Sequence, residues 1–281
     1  MGSRRVAGFA IAALVAAACG SNHPSAAPTT ARASATAAPS ATTASPTTAV
    51  SAPTTTVTLA PLAGEVIAID PGHDGGNFSH TDEINQLVNV LTEQKACDTT
   101  GAVAADGYTE SAFNLDVALR TEALLQAEGA TVVMTRTTDT GVGPCVTVRA
   151  AIGNDAHANA AVSIHADGGP TYGRGFQVLQ PGPIPSGYNN AILAPSRRLA
   201  AAMLDAFPYA TRMPPSSYYG AGGLASRTDL GGLNLSLVPK VFVECGNMEN
   251  ATDLALLERP AWRQQAAEGI AQGITQFLDA G

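Results

Sequence analysis

From residue 66 onward, apolar positions fall alternately into short runs and helical stripes. Residues 66–69 form an apolar run of the kind a buried strand carries, and Asp70-Pro71-Gly72 stops it, because proline lacks a backbone donor and glycine permits a turn. Residues 77–108 are mixed and polar and read as a long, partly helical insertion. Across 110–128, Phe113, Leu115, Val117, Ala118, Leu124 and Leu125 recur as an amphipathic helix, which Gly129 closes. A β-rich stretch at 131–135, a helix at 146–157 and a short apolar strand at 161–164 follow. Next come a strand at 175–180, a helix at 191–207, a strand at 240–244 and a last helix at 260–278. The alternation predicts an α/β single domain, a twisted, mainly parallel sheet flanked by helices. Residues 211–236, rich in Gly, Pro, Ser and Tyr, show neither period and read as a rim loop.

The first 63 residues follow other rules. Arg4 and Arg5 precede an apolar core, Ala7 to Ala18, too short to span a bilayer, so residues 1–19 read as an export signal. Ala16-Ala17-Ala18-Cys19 fits a lipoprotein cleavage box, with Cys19 as the lipidated first residue, and equally an ordinary Ala-x-Ala site. Residues 20–63 are almost wholly Ala, Thr, Ser and Pro and lack Asp and Glu, a composition that cannot bury enough apolar surface to order itself. Such a tether reaches about 35 to 40 Å by random-coil scaling.

What remains, residues 64–281, suffices for one sizeable core. With residues 1–19 removed, and Arg4 and Arg5 with them, residues 20–281 hold 13 basic residues against 23 acidic ones, a formal charge of −10. That balance argues against nucleic acid and against direct adhesion to anionic lipid. Three cysteines lie beyond Cys19. Cys245 sits in an apolar strand pattern, as buried free thiols do, whereas Cys97 and Cys145 fall in loop-like sequence and are the expected disulfide pair of an exported chain.

Candidate chemistry collects at strand ends. His73 follows the run at 66–69 and His165 follows the run at 161–164, so both imidazoles are expected at one edge of the sheet. Glu110 opens the first long helix, which begins at that edge too. Taken singly, His73 fits a loop histidine and Glu110 fits an acid at a helix N-terminus. Together, two histidines and one glutamate make a zinc set that leaves a fourth position for water. Glu244 ends an apolar strand and needs a polar cleft if it is not to be stranded.

Five segments carry a resemblance. Val66-Ile-Ala-Ile-Asp-Pro-Gly-His-Asp-Gly-Gly76, the helix opening at Glu110, Gly129-Ala-Thr-Val-Val-Met-Thr-Arg136, Arg149 with Asn159 ahead of Ser163-Ile-His-Ala-Asp167, and Val243-Glu-Cys-Gly-Asn-Met-Glu-Asn250 resemble the zinc-dependent N-acetylmuramoyl-L-alanine amidases of the type-3 group, particularly compact actinobacterial members. The resemblance implies that His73, Glu110 and His165 bind Zn2+, that Glu244 is the catalytic acid/base, and that the substrate is peptidoglycan. The chain departs from the pattern in its long interval between His73 and Glu110, in Asp167 where Asn is common, and in Cys245-Gly246-Asn247 where Leu-Gly-Phe is familiar. It is expected to act as a monomer in the periplasm or cell wall. Two rival readings are a zinc peptidase acting within the stem peptide and a non-enzymatic cell-wall lipoprotein.

Overall fold

The computed structural model describes residues 60–281, so the export signal, Cys19 and most of the tether lie outside the described residues. Leu62, drawn above as tether, is fully buried, and its N–H donates to the Glu128 carbonyl at 2.9 Å, so folded packing starts slightly earlier than expected.

The chain opens with β1 (Val66–Pro71), a 3-10 turn at Gly75–Ser79, the single-turn helix α1 (Thr81–Ile84) and a hairpin of β2 (Leu87–Asn89) and β3 (Gln94–Ala96). Then follow α2 (Glu110–Ala127), β4 (Thr131–Met134), α3 (Val146–Asp155), β5 (Ala160–Asp167), β6 (Gln177–Pro181), α4 (Asn190–Thr211) and β7 (Leu224–Arg227). The single-turn α5 (Gly231–Asn234), β8 (Lys240–Asn247), α6 (Ala251–Leu257) and α7 (Pro260–Asp279) complete it. Six strands form one sheet in the order β4-β1-β5-β8-β6-β7. The first four are mutually parallel, β6 runs antiparallel to β8, and β7 is parallel to β6.

Strand alternation sorts the sheet into two faces with different jobs. Ile67 and Ile69 of β1, Val162 and Ile164 of β5, and Val241, Val243 and Cys245 of β8 enter a core shared with α2, α4 and α7. There Phe207 meets Phe176 and Trp262 at centroid distances of 5.1 and 6.3 Å. Cys245 is a buried free thiol, as expected. The intervening residues, Asp70, Ser163, His165, Phe242 and Glu244, share the opposite face.

Helix boundaries follow local chemistry. The Thr109 hydroxyl accepts from the Ala112 N–H and caps α2, which places Glu110 in its first turn. Gly129 ends that helix with φ 95°, which only glycine adopts without strain.

The insertion at 77–108 is partly helical, as expected, and also holds the β2–β3 hairpin, docked where Asn234 Nδ2 donates to the Val90 carbonyl and Thr92 Oγ1 to the Thr228 carbonyl. One expectation needs correction. Residues 211–236 are not loop throughout, since they contain β7 and α5. β7 reads Leu-Ala-Ser-Arg, with no alternation to detect, and exists because it pairs with β6 along an exposed edge.

Cys97 and Cys145 form a disulfide across a separation of 48 residues, joining the insertion to the N-terminus of α3. A cross-link of that span is worth about 2–4 kcal/mol. Replacing both cysteines with serine should lower the unfolding free energy by that amount in denaturant titration, and an unchanged midpoint would show that the bond carries no stability.

Candidate metal centre and active site

The turn after β1 is built to place His73. The Pro71 carbonyl accepts from Arg136 Nε at 3.0 Å and Arg149 Nη1 at 2.7 Å, and the Gly72 and His73 carbonyls accept from Arg136 Nη2 and Arg149 Nη2 at 3.0 and 2.9 Å. His73 itself has φ 59°, a left-handed conformation costly for a side chain and held here by these donors. Gly72 is required because any Cβ there would run into the His165 ring.

His73 Nδ1 donates to the Thr99 carbonyl at 3.0 Å, and since a carbonyl only accepts, this nitrogen carries the proton. Nε2 is therefore turned toward Glu110 Oε1, 3.2 Å away. His165 Nδ1 approaches the same oxygen at 2.9 Å. The other carboxylate oxygen, Oε2, accepts from the Ala102 N–H at 2.8 Å, which fixes the Glu110 head. One atom from each of the three residues lies within 4.8 Å of the others. The His73 and His165 rings meet edge to face at 4.9 Å, and Phe242 stacks beneath His165 at 5.2 Å.

Two nitrogens aimed at one carboxylate oxygen leave a place that only positive charge satisfies. Burial alone would make His73 harder to protonate, yet the Glu110 and Asp98 carboxylates reverse that and raise its pKa to about 10. The converging set is the expected one, His73, Glu110 and His165. Two imidazoles and one carboxylate, His73 and Glu110 held by backbone partners and His165 stacked on Phe242, fit a zinc ion.

Glu244 stands beside this cluster, opposite His165 in the β5–β8 ladder. Its Oε2 is shielded from solvent and has no hydrogen-bond partner among the described residues. Burial first, then the Glu110 and Asp167 carboxylates, push its pKa well above the ordinary 4.5. A cavity of about 290 Å³ opens between Glu244, Asp167, His165 and Arg227.

The family profile described as N-acetylmuramoyl-L-alanine amidase matches residues 67–276. The chain belongs to that family. It is 40% identical over 222 residues to the N-acetylmuramoyl-L-alanine amidase Rv3717 of Mycobacterium tuberculosis, covering 79% of this chain and 89% of that protein. Its fold is similar to the crystal structure of the amidase Ami1 from Mycobacterium smegmatis, with TM-score 0.73 and 42% identity over 78% of this chain and 99% of the other. The apo Ami1 of Mycobacterium abscessus aligns with TM-score 0.72 and 41% identity over 77% and 100% of the two chains. This amidase is therefore a hydrolase of the peptidoglycan amide between muramic acid and L-alanine, on the mainly parallel sheet anticipated from its sequence.

The amidase corrects one detail of its own sequence pattern. His165 does not follow its strand but lies within β5, and Glu244, expected to end its strand, lies inside β8; both strands run further than their apolar cores suggest. The two side chains meet because they occupy the same face, while His73 alone leaves from a strand end.

Sequence reasoning also missed the layer beneath. Asp70 Oδ1 accepts from Thr135 and Arg149 at 2.7 and 3.0 Å, and Oδ2 from Ser163 and Lys240 at 2.6 and 3.2 Å. Arg149 Nη2 also donates to Asp98 at 3.0 Å, next to the Thr99 that orients His73. The only local signal was an aspartate beside the His73 turn; its cationic partners lie 79 and 170 residues away.

Removing one member of this network strands the others in the interior. Arg149→Met should cost about 3–5 kcal/mol in chemical denaturation, and Arg149→Lys should recover little because it cannot span Asp70, Asp98 and the carbonyls. Loss below 1 kcal/mol would contradict the clamp.

Asp70 also sets an acid limit. Burial would raise its pKa, but Lys240 and Arg149 together hold it far below the ordinary 3.8. A depressed folded-state pKa gives stability that is present above 3.8 and lost as pH falls below it, because the unfolded chain takes up the proton first. Melting temperature should therefore fall from about pH 4 downward, and Asp70→Asn, less stable at neutral pH, should show a shallower acid slope. Parallel slopes would remove Asp70 from this role.

Proposed function

We propose that the chain is a zinc-dependent N-acetylmuramoyl-L-alanine amidase in which His73, Glu110 and His165 hold the ion and Glu244 moves the proton. The observation that carries this reading is the convergence of three oriented donors within 4.8 Å beside an unpartnered buried carboxylate oxygen. Zinc bound there would polarise the scissile carbonyl and acidify a water.

Glu244 does the rest of the proton work. Its carboxylate accepts the proton of the attacking water and then gives it to the L-alanine nitrogen as the amide C–N bond breaks. The products are an unsubstituted lactyl group on the glycan and a free stem peptide. Thr99 keeps His73 in the tautomer that presents Nε2, and Ala102 keeps Glu110 from swinging away. Phe242 fixes the plane of His165.

The disulfide and the substrate agree with an exported protein. Within that, residues 1–19 act as the signal and the following Ala/Thr/Ser/Pro-rich segment as a spacer, whether the mature chain begins at a lipidated Cys19 or is freely secreted. No described helix is long and apolar enough to cross a membrane.

Two variants separate metal binding from proton transfer. Glu244→Gln should retain stoichiometric zinc while turnover on muramoyl-L-alanyl peptides falls about 100- to 10,000-fold. His165→Ala should instead lose the metal in elemental analysis. Wild-type cleavage by a zinc-replete Glu244→Gln protein would refute the assignment.

A further inference from the structure

Arg227 closes β7 and, among the described residues, is the one lysine or arginine lining the cavity beside Glu244. Every other ionisable side chain facing that cavity is a carboxylate or an imidazole: Glu110, Asp167, Glu244, His73 and His165. A guanidinium in such a place is drawn toward its own carboxylates unless something holds it. Asp229 does so, accepting from Nε at 2.7 Å and from Nη2 at 2.6 Å. The Tyr219 ring centre lies 5.6 Å from Cζ on another side.

Asp229 in turn meets Lys95 Nζ at 3.5 Å, tying the fork to the β2–β3 hairpin. The three residues carry two positive charges and one negative. Arg227 Nη1 donates to no acceptor among the described residues. The result is a planar donor fixed in advance, its Nε and Nη2 engaged by Asp229 and the Tyr219 side chain beside it, with a net positive charge at its base. Pinned forks of this kind recognise carboxylates through charged hydrogen bonds.

The chemistry of the substrate decides which part reaches it. In the amidase reading, on which this inference rests, the carboxyl of muramic acid is consumed in the scissile amide, so the glycan side offers no anion there. The peptide side does. Its second residue carries either a free carboxylate or the corresponding carboxamide, and each peptide residue advances at most about 3.6 Å, so that group stays within a few residue lengths of the cut bond. We infer that Arg227, pinned by Asp229 and Tyr219, binds a free carboxylate on the stem peptide just beyond the scissile amide and makes the enzyme prefer acidic stem peptides over amidated ones.

The test uses two muramoyl tripeptides that differ only in whether the second residue bears a carboxylate or a carboxamide, with the zinc-loaded full-length enzyme. Wild type should favour the carboxylate about 10- to 100-fold in kcat/KM, mostly through KM, with a preference that shrinks as salt is added. Arg227→Gln should bring the two substrates within about twofold of each other, and Arg227→Lys should keep part of the preference as a point charge. Because the readout is a ratio, a general loss of activity in a variant does not imitate it. Equal cleavage by wild type, a preference for the carboxamide, or a tenfold preference surviving in Arg227→Gln each overturns the inference while leaving the amidase reading intact. Failure of wild type to cleave either substrate overturns both.

Discussion

Burying a carboxylate between two cations is costly unless each charge finds partners, and Asp70 is where this fold meets that condition. Its two oxygens take four donors, from Thr135 just past β4 and from α3, β5 and β8. With Asp70 neutralising it, Arg149 can remain charged inside the protein and spend its remaining donors on the backbone carbonyls of the turn that carries His73 and on Asp98. The ion pairs are not the main source of stability, since well-packed apolar residues serve that purpose as well. What they provide is position: a left-handed His73 and a closely approaching Gly72 that the chain would not otherwise maintain.

The rest of the site follows from the two-faced sheet. In β5 and β8, one set of alternate residues fills the core beneath α2, α4 and α7, and the other set presents His165, Phe242 and Glu244. A one-residue slip in either strand would exchange the faces, burying the ionisable groups among Trp262, Phe207 and Ile270. The packing that stabilises the domain is thus also what fixes the side chains of the candidate site. Glu110 arrives by a separate route, in the first turn of a helix capped by Thr109, and Ala102 from the insertion locks its second oxygen.

Much of this was legible in the sequence, for identifiable reasons. Alternating apolar runs and helical stripes report burial directly, so the mainly parallel α/β domain and its long helices could be read. His73, Glu110, His165 and Glu244 stood out because ionisable residues adjoin apolar runs only where something offsets their burial. The extent of β5 and β8 was not legible: Ala166-Asp167 and Cys245-Gly246-Asn247 are strand because neighbouring strands pair with them. The hairpin and β7 were missed likewise, being held by contacts such as Asn234 with Val90 rather than by any local pattern. Thr99, which orients His73 from 26 residues away, has no sequence signal at all.

The central claim is that this scaffold delivers one atom each from His73, Glu110 and His165 to a single ion. Anomalous diffraction at the zinc edge from crystals of the metal-loaded protein tests it directly. One peak about 2.0–2.2 Å from a ring nitrogen of His73, a ring nitrogen of His165 and a Glu110 oxygen is the result expected, with Glu244 close by but unbound. A peak elsewhere, or one ligated by Glu244 in place of Glu110, would contradict it.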